Sequence, residues 1–187
     1  MNKRSFLYLL KTRYLLIGLS KTIILVSAFS VALACQENVR TARDFPVTTV
    51  LLVRHAEKSG PSGDVPLSEA GLARARELVR IIGRTGVKAI YATQFQRTQQ
   101  TAQPLADHLR LTINKIAANN TKGLVEAVLS KHVGEIVLIV GHSDTVPDII
   151  AKLGGGEVAP IAENEFDRLY LITIYQSGQA KVVELRY

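Results

Sequence analysis

Two short apolar runs set the frame for this chain: Val47-Thr-Thr-Val-Leu-Leu-Val53 and Ile136-Val-Leu-Ile-Val140. Both are rich in β-branched residues and continuous rather than alternating, the pattern of strands buried on both faces of a parallel sheet. Each run ends in a histidine-bearing tetrapeptide, Arg54-His55-Ala56-Glu57 after the first and Gly141-His142-Ser143-Asp144 after the second. In open α/β sheets the residues just beyond the carboxyl ends of the strands form the crevice where ligands bind. Two histidines 87 positions apart are therefore expected on one edge of one sheet.

The segments between and after these runs alternate in the same way. A Gly- and Pro-rich loop (58–67) leads to a helix from Ser68 to Gly83, with Ser68 as N-cap and Leu72, Leu78, Val79 and Ile82 as its apolar stripe. Val87 to Tyr91 reads as a strand, Gln94 to Leu109 as a helix, Leu111 to Ile116 as a strand and Gly123 to Lys131 as a helix. After the strand from Ile136 come a helix from Val146 to Leu153, stopped by Gly154-Gly155-Gly156, and a hairpin of Leu169–Tyr175 and Lys181–Arg186. Alternating β and α units predict a three-layer α/β fold, a mostly parallel central sheet with helices on both faces.

The net charge of +7 suggests a polyanion partner until its distribution is read. Lys3, Arg4, Lys11, Arg13 and Lys21 all fall within the first 34 residues, which hold no acid; the other 18 basic and 16 acidic side chains leave +2. With no basic run or series of stacking aromatics, nucleic acid is not an expected partner. The basic start, the apolar Thr22–Ala34 and the small-x-small triplet Ala32-Leu33-Ala34 form the pattern of a secretory signal. The expected organisation is a signal over 1–34, a polar tether over 35–46 and one domain over 47–187. An uncleaved anchor from Tyr14 to Ala34 is the alternative, but a central Lys21 would cost it roughly 2.5–3.5 kcal/mol. Cys35, the sole cysteine, excludes an intrachain disulfide and stands where an exported lipoprotein carries its lipidated cysteine, although Ala32 replaces the usual Leu three residues earlier. The expected location is outside the cytoplasm, in the periplasm or attached to a membrane.

The chemistry of the two edge segments points towards phosphate. Neutral imidazole is a nucleophile near neutral pH, and a covalent intermediate divides a hard phosphoryl transfer into two easier steps. Arginine offers a planar donor fork that matches phosphate oxygens. A lone histidine at a strand end is nevertheless more often a hydrogen-bonding loop residue. A metal site of His55 and His142, completed by Glu57 and Asp144, is a further reading, but neither histidine belongs to a helical His-x-x-x-His pair. His108 and His132, near helix C-termini, read as structural.

Four segments in order resemble the histidine phosphatase (phosphoglycerate mutase-like) superfamily. Leu52–Glu57 is similar to its Arg-His-Gly signature, with Ala56 in place of Gly; Asp64–Gly71 is similar to the opening of its first helix. Tyr91–Ala102 resembles its second arginine motif and Val140–Ser143 its second histidine motif. The resemblance runs from about residue 47 to the C-terminus. It implies the same three-layer fold, a phosphatase without metal or organic cofactor, His55 as the phosphorylated nucleophile, and Arg54, Arg97 and His142 as the phosphate pocket. For the general acid, Glu57 and Asp144 rank level, with Glu126 below them and Asp64 as a fourth option. Expected substrates are a phosphorylated small molecule, an envelope sugar or a phosphoprotein. The lack of long insertions disfavours a mutase. The competing function is a non-catalytic phosphate- or phosphoester-binding module of the same fold.

Overall fold

A computed structural model of the protein describes residues 46–187. The expected signal or anchor, Cys35 and nearly all of the tether lie outside the described residues.

The strands are β1 (Thr48–Arg54), β2 (Ala89–Thr93), β3 (Ile113–Ile116), β4 (Ile136–Gly141), β5 (Arg168–Ile174) and β6 (Ala180–Arg186). The helices are α1 (Glu69–Ile82), α2 (Gln96–Leu109), α3 (Thr121–Lys131) and α4 (Thr145–Lys152). One sheet runs in the order β3-β2-β4-β1-β5-β6. Its first four strands are parallel; β5 and β6 are antiparallel, a hairpin laid against β1.

Alternate residues of β1 point into two separate cores, as the pleat requires. Val50 and Leu52 meet the face covered by α3 and α4, through Leu124, Val125, Val128, Val146, Ile149 and Ile150. Leu51 and Val53 meet the face covered by α1 and α2, through Leu78, Ile82, Ala102, Leu105 and Ala106. The three-layer reading of the sequence holds.

The helix boundaries differ from the sequence expectation where side chains outside the helix act as caps. In α1 the Ser68 hydroxyl accepts from Gly71 N (3.1 Å), as expected, but the buried stripe is Gly71, Ala75, Leu78 and Ile82, and Leu72 is exposed. Gly71 is buried because the helix start presses onto the turn after β1; a Cβ there would stand 2.2 Å from the Glu57 carbonyl oxygen. Helix α2 begins at Gln96, and its first amide is capped by Asp64 Oδ1 (2.8 Å) from the loop over 58–67. Asp64 is thus a helix anchor. Asn120 caps α3 through Gly123 N (3.0 Å); Leu129 on that helix is exposed. Gly154 takes φ +83° beyond α4, and Gly155 N donates to Ile150 O, closing that helix as predicted.

Candidate active site

The register of β1 against β4 pairs Arg54 with Gly141, so the two strands end level. The ladder continues one step further, with His55 N donating to Gly141 O (2.9 Å). That bond brings the two motif turns together: the His55 and His142 rings lie 5.3 Å apart, centroid to centroid, with 64° between their planes. Both residues are buried, at 4% and 8% exposure, yet both line a cleft of about 540 Å³ together with Arg54, Lys58, Phe95, Arg97, Asn119, Ser143, Asp144 and Glu163.

His55 Nδ1 lies 2.8 Å from the Ala56 carbonyl oxygen. A carbonyl only accepts, so Nδ1 carries the proton and Nε2 is left with its lone pair. Ala56 is fully buried, and its amide donates to Thr101 Oγ1 (2.9 Å) on α2. The turn therefore accommodates a methyl group where the resembling motif has glycine. Burial pushes the His55 imidazole down to about 4, with His142, Arg54 and Arg97 acting in the same direction. His142 is likewise pushed down to about 4 by burial, then by Arg97 and Arg54, against the opposing pull of Asp144. At neutral pH both rings are uncharged.

Arg54 is fixed by a loop absent from the sequence reading. Its Nη1 donates to the carbonyls of Ala162 (2.7 Å), Glu163 (3.0 Å) and Glu165 (3.0 Å), and its guanidinium stacks on Phe166, 4.3 Å from the ring centroid. The loop is itself braced. Glu165 accepts from Ala162 N (2.9 Å) and pairs with Arg168 (2.7 Å), which, with the Ala162 amide, holds its carboxyl down at about 2. Arg97 stacks on Phe95 (4.4 Å) and donates from Nη1 to Gly63 O (3.2 Å). Both Arg54 and Arg97 keep a buried Nε without an acceptor. Two guanidinium cations lining one cleft fit a site for an oxyanion.

The structure thus brings together His55, Arg54, Arg97 and His142. It separates the proposed acids. Glu57 does not line the cleft; it accepts a bidentate pair from Arg74 (2.7 and 3.0 Å). Burial opposes its ionised form, but the Arg74 guanidinium outweighs that and holds the carboxyl below its usual range. Glu126 is exposed on α3, 3.9 Å from Lys122, and also lies outside the cleft. Neither side chain lines the cleft, because the turn after His55 faces α1 and the outer face of α3 faces water. Asp144 does line the cleft, with its Oδ1 accepting from Thr145 N (2.9 Å) at the start of α4. Glu163 joins it as an acid the sequence reading missed.

Thr93 and Thr98 were missed as well. Thr93, at the end of β2, lies 3.0 Å from His142 Nε2 and 2.9 Å from Thr98 Oγ1. A polar residue closing an apolar strand on the edge that carries both histidines was the available signal. His132 packs elsewhere, between the Tyr91 hydroxyl (3.0 Å) and Glu135 (2.7 Å). No grouping of three or more metal-ligating side chains occurs among the described residues.

The model of the histidine phosphatase superfamily (branch 1) matches residues 50–118, a span that includes Arg54, His55 and Arg97 and ends before His142. Among solved structures, the protein histidine phosphatase SixA complexed with tungstate is 19% identical, covering 74% of this chain and 96% of that one at a TM-score of 0.60. A mycobacterial glucosyl-3-phosphoglycerate phosphatase in complex with inorganic phosphate is 12% identical, covering 74% and 96% at a TM-score of 0.62. The fold is phosphoglycerate mutase-like.

Proposed function

We propose that this chain is a phosphatase of the histidine phosphatase superfamily in which His55 carries the phosphoryl group from substrate to water. The observation that carries the reading is the convergence on one cleft of a neutral imidazole, with its Nε2 lone pair unused, and two clamped arginines. The Nε2 lone pair attacks phosphorus as the bond from phosphorus to the leaving oxygen or nitrogen breaks, and the leaving atom takes up a proton. Water then attacks the phosphohistidine, releasing phosphate and returning the electron pair to Nε2. Arg54 and Arg97 offer fixed positive donors to the oxygens on which charge accumulates, without reorganising during the reaction. Asp144 and Glu163 are the cleft acids available to an alkoxide leaving group.

The cleft lies within the range of small-molecule sites and so admits more than inorganic phosphate. The substrate is a phosphorylated small molecule, an envelope sugar phosphate or a phosphorylated protein side chain. The likeness to SixA supports testing phosphohistidine, whose imidazole leaves more easily than an alkoxide. The basic-then-apolar start and Ala32-Leu33-Ala34 support export to the periplasm or to a membrane surface.

Purified protein assayed against aryl phosphates, sugar phosphates and phosphohistidine peptides tests the reading. Turnover of at least one class, lost in His55→Ala, is expected. Phosphate binding without turnover of any class would leave a phosphate-binding module instead.

A further inference from the structure

Proton counting in the wall behind His142 assigns a role to two residues outside the reacting set. Thr98 Oγ1 stands 2.8 Å from Phe95 O, 3.2 Å from Thr93 O and 2.9 Å from Thr93 Oγ1; Thr93 Oγ1 stands 3.0 Å from His142 Nε2. Thr93 and Thr98 are at most 6% exposed, so water does not share these bonds. Each hydroxyl owns one proton, and the two carbonyls only accept.

Only one assignment places a proton in each of the three contacts of 3.0 Å or less. Thr98 donates to a carbonyl, Thr93 donates to Thr98, and His142 donates from Nε2 to Thr93. If Thr93 donated to His142 instead, either the Thr93–Thr98 contact or the Thr98–Phe95 contact would set oxygen lone pairs against each other at under 3 Å. The backbone fixes this arrangement, since Thr98 sits in the first turn of α2 with Phe95 as its N-cap.

We infer that the Thr93–Thr98 pair locks neutral His142 as its Nε2–H tautomer, so that a phosphoryl group meets an Nδ1 lone pair and binds together with one proton. His142 Nδ1 makes no hydrogen bond within the described protein and is not among its enclosed unpartnered atoms, while the residue lines the cleft. A lone pair there repels the unprotonated oxygens of a phosphoryl dianion. Protonation turns it into a cationic donor, and the proton comes from the phosphate or from solvent. Thr93 and Thr98 are therefore positioning residues: they act through His142 and set the protonation state of the phosphate the site accepts. This rests on the reading of the cleft as a phosphoryl site.

The ionisable groups around His142 are His55 and Arg54 from the end of β1, Lys58 from the loop that follows, Arg97 from α2, Asp144 from its own turn and Glu163 from the loop that holds Arg54. Any of the uncharged or acidic ones could take up a proton with an anion, so the test must single out His142. Long-range 1H–15N NMR of the full-length protein at about pH 8 reads the tautomers without ligand. His142 is expected as Nε2–H and His55 as Nδ1–H. Thr98→Val frees the Thr93 proton to donate to His142 Nε2 and should move His142 towards Nδ1–H, with Thr98→Ser retaining the wild-type form. Calorimetry of sulfate binding, a tetrahedral dianion with no proton of its own to give, in two buffers of different ionisation enthalpy should show uptake of about one proton in wild type and less than half of that in Thr98→Val. His142 found as Nδ1–H in wild type would overturn the inference even with the enzyme active. Sulfate binding without proton uptake would overturn it and leave the phosphatase reading standing, whereas failure to bind either sulfate or inorganic phosphate would overturn both.

Discussion

His55 and His142 stand edge to face at the end of the sheet and are held by opposite ring nitrogens, His55 through Nδ1 on the Ala56 carbonyl and His142 through Nε2 on the Thr93 hydroxyl. The nitrogens left without a partner in the described protein are consequently Nε2 of one and Nδ1 of the other. Backbone and hydroxyl partners thus hold two like side chains in opposite senses. The bond from His55 N to Gly141 O fixes the separation of the two turns.

Burying two neutral imidazoles makes stability depend on pH. Both folded values lie at about 4, below the ordinary 6.5, so between these values the unfolded chain binds more protons than the folded one. Stability from this source is complete above about pH 6.5 and declines as pH falls towards 4, by about 2–3 kcal/mol per histidine. Thermal melting across that window should show the decline, and His142→Gln should flatten it. An unchanged slope in that variant would mean that His142 is not buried neutral.

Arg97→Ala removes one of the two clamped forks and should weaken phosphate binding by about 1.5–3 kcal/mol, the scale for hydrogen bonds to a charged group. Calorimetry reads this directly. Unaltered affinity would show that the α2 arginine does not face the anion.

The loop over 162–166 should matter to substrate affinity although it carries no motif. Glu165→Gln loosens its brace to Arg168 and Arg186 and with it the carbonyls that hold Arg54. The expected result is a weaker phosphate affinity with the melting temperature little changed. A large loss of stability at unchanged affinity would instead make the brace purely architectural.

Glu57→Gln tests the correction to the sequence reading. With Glu57 committed to Arg74, the acidic limb of the pH–rate profile should keep its midpoint and kcat should fall little. The pair is partly exposed, so its loss should cost stability only about 1 kcal/mol or less. A displaced acidic limb would return Glu57 to the chemistry.

The fold was legible because β-branched runs and alternating helices dictate a covered parallel sheet, and the two histidines followed from the rule that strand ends line the crevice. The acids were not legible. Glu57 is two residues from His55, but the turn that aims His55 into the cleft aims Glu57 at Arg74 on α1, a contact between segments 17 residues apart. Glu163, Phe166 and the carbonyls on Arg54 lie 108 or more residues from their partner, and no local pattern announces them. Thr93 and Thr98 are short polar residues whose role depends on which proton goes where, and only distances reveal that.

The central claim is the phosphoryl group on His55. Rapid acid- and base-quench of the enzyme turning over a 32P-labelled substrate, followed by peptide mapping, measures it. The account predicts an adduct that is acid-labile and base-stable, as a phosphoramidate should be, on the peptide containing His55. It should be absent in His55→Ala and still form slowly in His142→Ala. Label on any other residue, or turnover surviving in His55→Ala, would contradict it.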